Sequence, residues 1–327
     1  MSGSAAGGPI DVLCAGILVA DLFVPPLPRL PEPGELQKVG AMPLAPGGCA
    51  VNAALDLVRL GIRVGVAGPV GRDVFGEFIR RDLLGRGLYD ASGIREIADL
   101  PTSQTVILPV TGQDRRFIHS VGANAAFRVA DIDRDAVARC RVLYVGGYGI
   151  LPGFDPAELG ALFAFARSKG VRTVLDVAGV AADTGPALLA PVLPHVDAFL
   201  PNDDEARLLS GESDPVRQAR RFVDLGAGTA VVTRGGDGLA VATPDGAWTA
   251  GAFIVDVIDA SGSGDAFDAG FIVGMLEGWN LAQTLAFASA VGGSCCTRLG
   301  TTAGVFTRVE AETFLAAHPF TLKEEQS

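Results

Sequence analysis

Short apolar runs alternate along most of the chain with longer stretches whose apolar positions recur every third or fourth residue. The runs read as buried strands at residues 12–16, 64–67, 142–145, 173–176, 198–200 and 230–233. The periodic stretches read as helices at 50–60, 74–84, 156–168, 204–209, 215–225, 265–277, 281–298 and 308–316. Strand and helix taking turns in this way predicts an α/β fold, a mostly parallel central sheet with helices on both faces. One domain over residues 10–318 holds the whole pattern, leaving tails at 1–9 and 319–327.

Two segments break the rhythm. Residues 20–46 carry many prolines and extended pieces but no helical period. Residues 101–123 alternate polar and apolar positions around a glycine-containing turn, the pattern of a hairpin. Both leave the early half of the domain, and together they read as a small β lid over a cleft. An ordinary pair of surface hairpins is the alternative.

Composition narrows the function. Hydrophobic residues make up 49% of the 327, enough for a large core, and the 43 glycines fall singly or in pairs between apolar runs rather than in tracts. A net charge of −11 excludes sequence-independent nucleic-acid binding, which needs a basic face. The five cysteines (Cys14, Cys49, Cys140, Cys295 and Cys296) are odd in number and lack C-x-x-C spacing, which predicts free thiols in a reducing cytoplasm. No signal segment and no uninterrupted membrane-length apolar run is seen, so no membrane partner is expected.

The residue inventory excludes several chemistries. None of the three lysines, Lys38, Lys169 and Lys323, follows a phosphate-binding glycine loop or sits in a V-A-I-K strand. His119, His195 and His318 are scattered without cysteine partners, so no catalytic zinc is expected; His119, in a strand pattern, reads as structural or pocket-lining. The first strand runs into Gly16-Ile17-Leu18-Val19 without G-x-G-x-x-G, which removes the main support for a dinucleotide site.

The segment 255–267 carries the most chemistry. A strand-like run ends in a turn of small residues and opens a helix with Asp265 in its first turn. The N–H groups of Ser263, Gly264 and Asp265 would point out of the helix start, where the macrodipole favours an anion. Gly262 and Gly264 let a phosphate approach the backbone. A carboxylate at that point can take the proton of an attacking hydroxyl. Helix capping by Asp265 is the plainer alternative.

Asp259-Ala260-Ser261-Gly262-Ser263-Gly264-Asp265-Ala266-Phe267 resembles the D-T-x-G-A-G-D-x-F signature of the ribokinase-like (PfkB) carbohydrate kinases. Five more blocks resemble that family in order. Gly16…Asp21 with Pro31-Glu32-Pro33-Gly34-Glu35 is similar to its N-terminal block, and Gly47-Gly48-Cys49-Ala50-Val51-Asn52 with Arg59-Leu60-Gly61 to its G-G-x-x-x-N…R-L-G. Val70-Gly71-Arg72-Asp73-Val74-Phe75-Gly76, Asn202-Asp203-Asp204-Glu205 and Thr233-Arg234-Gly235-Gly236-Asp237-Gly238 match V-G-x-D-x-F-G, N-x-x-E and T-x-G-x-x-G. The resemblance spans residues 10–316 and implies a ribokinase-like three-layer fold with a lid.

It also implies roles. Asp265 would be the general base, and Gly262, Ser263 and Gly264 the anion hole. ATP would lie against Asn202, Glu205, Thr233, Gly235, Gly238 and Ser289, with Glu205 acting on Mg²⁺ through water. Arg234 would reach a phosphate or face solvent. Asp21, Gly47, Gly48 and Asn52 would hold the acceptor, and Asp259 with the Ser261 carbonyl would hold K⁺. The chain departs from the family pattern at Ser289, where relatives carry Asn, at Cys49 in place of lysine, and at Gly146-Gly147-Tyr148 in place of a sugar-binding glutamate. An unphosphorylated sugar or sugar acid is the expected acceptor. A nucleoside is the alternative, and a non-catalytic sugar-binding protein comes third. A homodimer joined lid to lid is expected.

Overall fold

The computed structural model describes residues 9–113, 116–180 and 185–325. The outer ends of the expected tails, and Asp114 and Arg115 at the tip of the expected hairpin, lie outside the described residues. The chain begins with β1 (Val12–Gly16), β2 (Val19–Phe23), β3 (Leu44–Gly47), α1 (Cys49–Arg59), β4 (Val64–Gly71), α2 (Val74–Gly85), β5 (Asp90–Ile97), β6 (Gln104–Leu108) and β7 (Arg116–Ser120). It continues through α3 (Arg134–Arg139), β8 (Val142–Gly146), α4 (Pro156–Ser168), β9 (Arg172–Leu175), β10 (Ala198–Phe199), α5 (Asp203–Ser210) and α6 (Pro215–Asp224). The last third holds β11 (Thr229–Thr233), β12 (Leu239–Thr243), β13 (Gly246–Ala250), α7 (Ser263–Glu277), α8 (Leu281–Cys295), α9 (Arg308–Ala317) and β14 (Lys323–Glu325).

The large sheet runs β14-β13-β12-β11-β10-β9-β8-β1-β4-β5. All pairs from β5 to β11 are parallel, and β12, β13 and β14 extend the sheet antiparallel. Its inner strands are buried on both faces, which is why they read as continuous apolar runs. Helices α1, α2, α7, α8 and α9 pack on one face around Leu57, Ile79 and Phe287. Helices α3, α4, α5 and α6 pack on the other around Phe163, Phe199 and Phe222. Each such side chain contributes about 1.5–3 kcal/mol by leaving water. The three-layer reading of the sequence, a mostly parallel sheet with helices on both faces, is the observed architecture.

Connectivity fixes where a ligand would sit. From β1 the chain crosses to β4 on one side, and from β8 it continues to β9 on the other. Open α/β sheets bind ligands outside the carboxyl ends of the strands at such a reversal. Both strands end there in glycine, Gly16 and Gly146, paired in register, so no side chain blocks the crevice.

Strands β3, β2, β6 and β7 form a separate four-stranded sheet beside this crevice. The hairpin expected at 101–123 is β6 paired antiparallel with β7. Between β2 and β3 the proline-rich segment forms no strand, only a bridge from Leu27 to Val110, because proline removes ladder donors. The structure differs from the sequence reading in several places. β5, α3 and the β12–β13 hairpin were not anticipated, helix α8 stops at Cys295 rather than at 298, and part of the expected tail 319–327 is β14, paired to β13.

Candidate active site

Helix α7 starts at a glycine held by its surroundings. Gly262 has φ +77°, and the Thr301 carbonyl occupies the place a Cβ would need. The first intrahelical bond runs from the Ala266 N–H to the Gly262 carbonyl, leaving the N–H groups before it without helical acceptors. Ser263 differs from expectation: its N–H donates to the Ala260 carbonyl at 3.3 Å and its hydroxyl to the same oxygen at 2.9 Å. The turn between Ala260 and the helix closes on itself, and Gly264 and Asp265 keep the outward N–H groups. Gly264 has nothing within 4 Å of its missing Cβ and opens onto a cavity of about 480 Å³.

Thr233, Gly235, Gly238, Ser263, Gly264 and Ser289 all line that cavity. Its walls are Phe253, Ile254, Val255 and Val257 on one side and the small residues Gly292 and Gly293 of α8 on the other. Asn202 and Glu205 are not among its lining residues; Asn202 is tied to it through a bridge to Thr233 across the ends of β10 and β11. Their side chains also cap α5 reciprocally: the Glu205 N–H donates to Asn202 Oδ1 at 2.9 Å, and the Asn202 N–H donates to Glu205 Oε2 at 3.0 Å. Burial pushes the Glu205 carboxyl up to about 7; its bonds from Asn202 oppose this, and the carboxylates of Asp265 and Asp204 add to it.

Asp265 faces away from the cavity toward the crevice at β1 and β8. The Asn52 side-chain amide of α1 donates to Asp265 Oδ2 at 2.8 Å. Burial pushes the Asp265 carboxyl up to about 6 against the pull of Asn52 and the Cys49 thiol, and the charge of Asp21 pushes it the same way as burial. The Cys49 thiol, Asp176 and Asp265 each bring one donor atom within 4.8 Å of the others'. Asp268 lies one helical turn below Asp265, buried, accepting a 2.9 Å bond from the Tyr144 hydroxyl. Burial and neighbouring carboxylates push both Asp176 and Asp268 far above the usual range. Neither aspartate was singled out from sequence. Asp176 could have been, because it directly follows a buried strand at the ligand-binding edge of the sheet.

On the lid side, Asp21 is 7% exposed and its carboxyl is pushed up to about 6 by burial, which a bond from Thr105 opposes. A shift of that size favours the protonated form by about 3 kcal/mol. Thr105 is the register partner of Asp21 on β6 and also meets His119 Nδ1 at 3.0 Å, so His119 is structural within the lid. Gly47 carries no side chain because the Asp21 carboxylate occupies that space. Gly48, at φ +91°, passes under the Ile17 carbonyl. Asn52 is 5% exposed, and its Oδ1 has no bonding partner among the described residues.

Residues 10–308 match the pfkB family carbohydrate kinase model. The chain belongs to the pfkB family. An ATP-dependent ribose-1-phosphate kinase of Halopiger xanaduensis is 30% identical over 89% of this chain and 93% of its own. The ribokinase of Arabidopsis thaliana solved with ribose and ATP superposes with a TM-score of 0.80 at 25% identity, covering 94% of this chain and 99% of that one. The Escherichia coli protein termed ribokinase II, solved with ATP and Mg²⁺, superposes with a TM-score of 0.80 at 23% identity, covering 94% and 100%. This pfkB chain is accordingly a carbohydrate kinase, a phosphotransferase.

Asp259 and Ser261 lie on the turn that precedes the signature helix of this pfkB chain. Asp259 Oδ1 accepts the Ser261 N–H at 3.0 Å and its hydroxyl at 2.8 Å, while Oδ2 accepts the Gly300 N–H at 3.0 Å. The Cys295 thiol donates to the Ser261 carbonyl at 3.4 Å. Arg234 stays beside its own turn, with its guanidinium 3.4 Å from the Asp237 carbonyl. Among the described residues no helix is long and apolar enough to cross a membrane.

Proposed function

We propose that the protein transfers the γ-phosphate of ATP to a hydroxyl of an unphosphorylated sugar or sugar acid, with Asp265 as general base. The observation that supports this best is the position of Asp265. It stands between the cavity on one side of the α7 start and the crevice holding Asn52 and Asp21 on the other. Adenosine fills the cavity between the apolar walls and the glycines of α8, over Ser289. The phosphates reach the Gly264 and Asp265 N–H groups, where the helix dipole opposes the charge that builds up on the transferring group. Thr233, Gly235 and Gly238 border the phosphate path.

The acceptor hydroxyl lies against Asp265 and loses its proton to that carboxylate as the phosphorus–oxygen bond forms. Asp21 and Asn52 orient the rest of the acceptor, and the unsatisfied Asn52 Oδ1 is a bond in reserve for a sugar hydroxyl. Mg²⁺ fits the site because the Asp265 carboxylate pushes those of Glu205, Asp176 and Asp268 upward and Glu205 adds to the last two, a crowding that a divalent cation relieves. Bound there through water and Glu205, it would neutralise phosphate charge. K⁺ would sit by Asp259 and the Ser261 carbonyl, steadying the turn beneath the anion hole.

The lid supports a homodimer. β7 is the edge of its sheet, with Phe117 58% and Ile118 64% exposed, and an exposed apolar edge strand calls for cover from a second copy. Cys14, Cys49, Cys140 and Cys295 are free thiols, as a reducing cytoplasm would leave them. The deciding experiment is a coupled ADP-release screen of the purified protein with Mg-ATP over sugars, sugar acids and nucleosides. Acceptor-dependent ADP release with a phosphorylated product is expected, and release that ignores every acceptor would remove the kinase assignment.

A further inference from the structure

The block Val70-Gly71-Arg72-Asp73-Val74-Phe75-Gly76 does not line the nucleotide-sized cavity, yet one carboxylate in it gathers four hydrogen bonds. Asp73 precedes α2, and its Oδ1 accepts the Phe75 N–H at 3.1 Å and the Gly76 N–H at 2.9 Å, an ordinary helix cap. The same side chain reaches a second segment. Its Oδ1 accepts the Thr102 hydroxyl at 2.6 Å, and its Oδ2 accepts the Thr102 N–H at 2.8 Å. The Thr102 hydroxyl in turn accepts the Gly71 N–H at 2.9 Å. The motif glycines make room for this contact: a Cβ on Gly71 would collide with the Thr102 N–H, and one on Gly76 with the Gly71 carbonyl. Burial opposes the charge on Asp73, but the bonds from Thr102, Gly76 and Phe75 outweigh it and hold the carboxyl below its ordinary range. They are charge-assisted bonds, the stronger kind.

Thr102 is the root of the lid hairpin. It and Ser103 are fully buried, and β6 begins at the next residue, Gln104. The Ser103 carbonyl accepts the Ala20 N–H of β2 at 2.9 Å, and the Ser103 hydroxyl donates to the Ser120 carbonyl of β7 at 2.8 Å. Three lid strands therefore meet beside Thr102. Two residues beyond Ser103, Thr105 bonds the carboxylate of Asp21, its register partner on β2.

We propose that Asp73 is a positioning residue of the acceptor site: by strapping Thr102 to the start of α2 it fixes where β6 holds Thr105, and with it Asp21. This rests on the kinase reading above, with Asp21 as an acceptor ligand, and adds to it a residue that touches no substrate. Strap and cap are separable on the one side chain. Asp73→Asn keeps the oxygen that caps α2 but turns an NH₂ group toward the Thr102 N–H, donor against donor. Asp73→Ser keeps a good cap and is too short to reach Thr102. From the other end, Thr102→Val removes both hydroxyl bonds, and Thr102→Ser retains them.

The test is steady-state kinetics of the full chain with Mg-ATP and whichever of fructose, ribose, 2-dehydro-3-deoxygluconate and inosine is the best acceptor. Asp73→Asn, Asp73→Ser and Thr102→Val should each raise the acceptor KM about 10-fold, with the KM for ATP changed by less than about 2-fold. Thr102→Ser should stay near wild type. Amide hydrogen exchange without ligand gives a second readout: β6 and β7 should exchange faster in the three impaired variants while α2 keeps its protection. An unchanged acceptor KM in folded Asp73→Asn and Asp73→Ser overturns the role and leaves the kinase intact. Loss of protection confined to α2, with both KM values rising together, reduces Asp73 to a cap and overturns it as well. If the Asp73 variants do not fold, the contrast between Thr102→Val and Thr102→Ser decides. No transfer to any of the four acceptors by the wild-type chain removes acceptor phosphorylation and this role together.

Discussion

The Asn52 amide donates to the Asp265 carboxylate across 2.8 Å, joining the first turn of α1 to the first turn of α7. The bond ties the two halves of the candidate site, since α1 follows the lid strand β3 and α7 opens onto the cavity proposed for the nucleotide. It also sets the basicity of Asp265: burial raises that carboxyl and Asn52 holds it down.

Asp265→Asn should bind ATP and acceptor as before and lose about 10²–10⁴ in kcat, the usual worth of a positioned base. Single-turnover kinetics beside circular dichroism would check this. A folded variant with wild-type turnover would remove the role.

A general base at Asp265, as proposed, works only when ionised, so kcat/KM should decline as pH drops through about 6, the value to which Asp265 is raised. Asn52→Leu deletes a bond that stabilises the ionised form, so the acidic limb should move to higher pH in that variant. A pH–rate profile separates this from titration of Asp21, whose own shift owes nothing to Asn52.

Glu205→Ala should raise the Mg²⁺ concentration needed for half-maximal rate more than it raises the acceptor KM. The same change removes the acceptor of the Asn202 N–H and half of the α5 capping box, a loss of about 1 kcal/mol. A small fall in melting temperature with an unmoved Mg²⁺ titration would assign Glu205 to capping alone.

Phe117→Glu, on the exposed β7, should turn a dimer into a monomer by light scattering at micromolar concentration, because a carboxylate cannot be buried unpaired in an interface. A wild-type monomer with full activity would dismiss the dimer and leave the chemistry standing.

Asp56 lies one turn beyond Asn52 on α1, fully buried, with neither carboxylate oxygen bonded among the described residues. Burial and the nearby Asp265 carboxylate hold its carboxyl far above the usual range against a weaker pull from Arg59. Asp56→Ala should stabilise the fold by about 1–3 kcal/mol, the penalty of buried unsatisfied acceptors. A raised folded pKa makes wild-type stability fall as pH climbs past the unfolded value, so the gain should be larger at about pH 7.5 than at about pH 4. Calorimetry at the two values checks both sign and trend.

Elements with a strong period were legible in the sequence, as α4 over Pro156–Ser168 shows: its apolar face, its Asp155 cap and its Pro156 all agree. The β12–β13 hairpin was harder, since Leu239–Thr243 and Gly246–Ala250 are short runs of small residues whose burial comes from α6 and the sheet. Gly264 could be named from its turn before a helix, and Thr233, Gly235, Gly238 and Ser289 from the resemblance to the family pattern, and the fold gathers them at one cavity. Asp176 and Asp268 escaped because their meaning is non-local. One follows an ordinary strand, the other sits inside an apolar helix, and only β8 beside β9 and Tyr144 beneath α7 give them neighbours. The Ser263 N–H misled for a similar reason, since its acceptor is set by how the 260–263 turn closes.

The lid sheet is spliced into the body at very short joints. Residues 17 and 18 separate β1 from β2, and Gly48 alone separates β3 from α1. A sheet so attached cannot swing like a door on a free hinge. Any tilt of β2 and β3 is a lever acting through Gly48, held at φ +91° against the Ile17 carbonyl, and the short arm of that lever is the turn of α1 bearing Cys49 and Asn52. On the proposed roles, gripping an acceptor with Asp21 and setting the angle of the amide on Asp265 would be geared together, so a substrate too small to pull the lid down would also leave the proposed base misaligned.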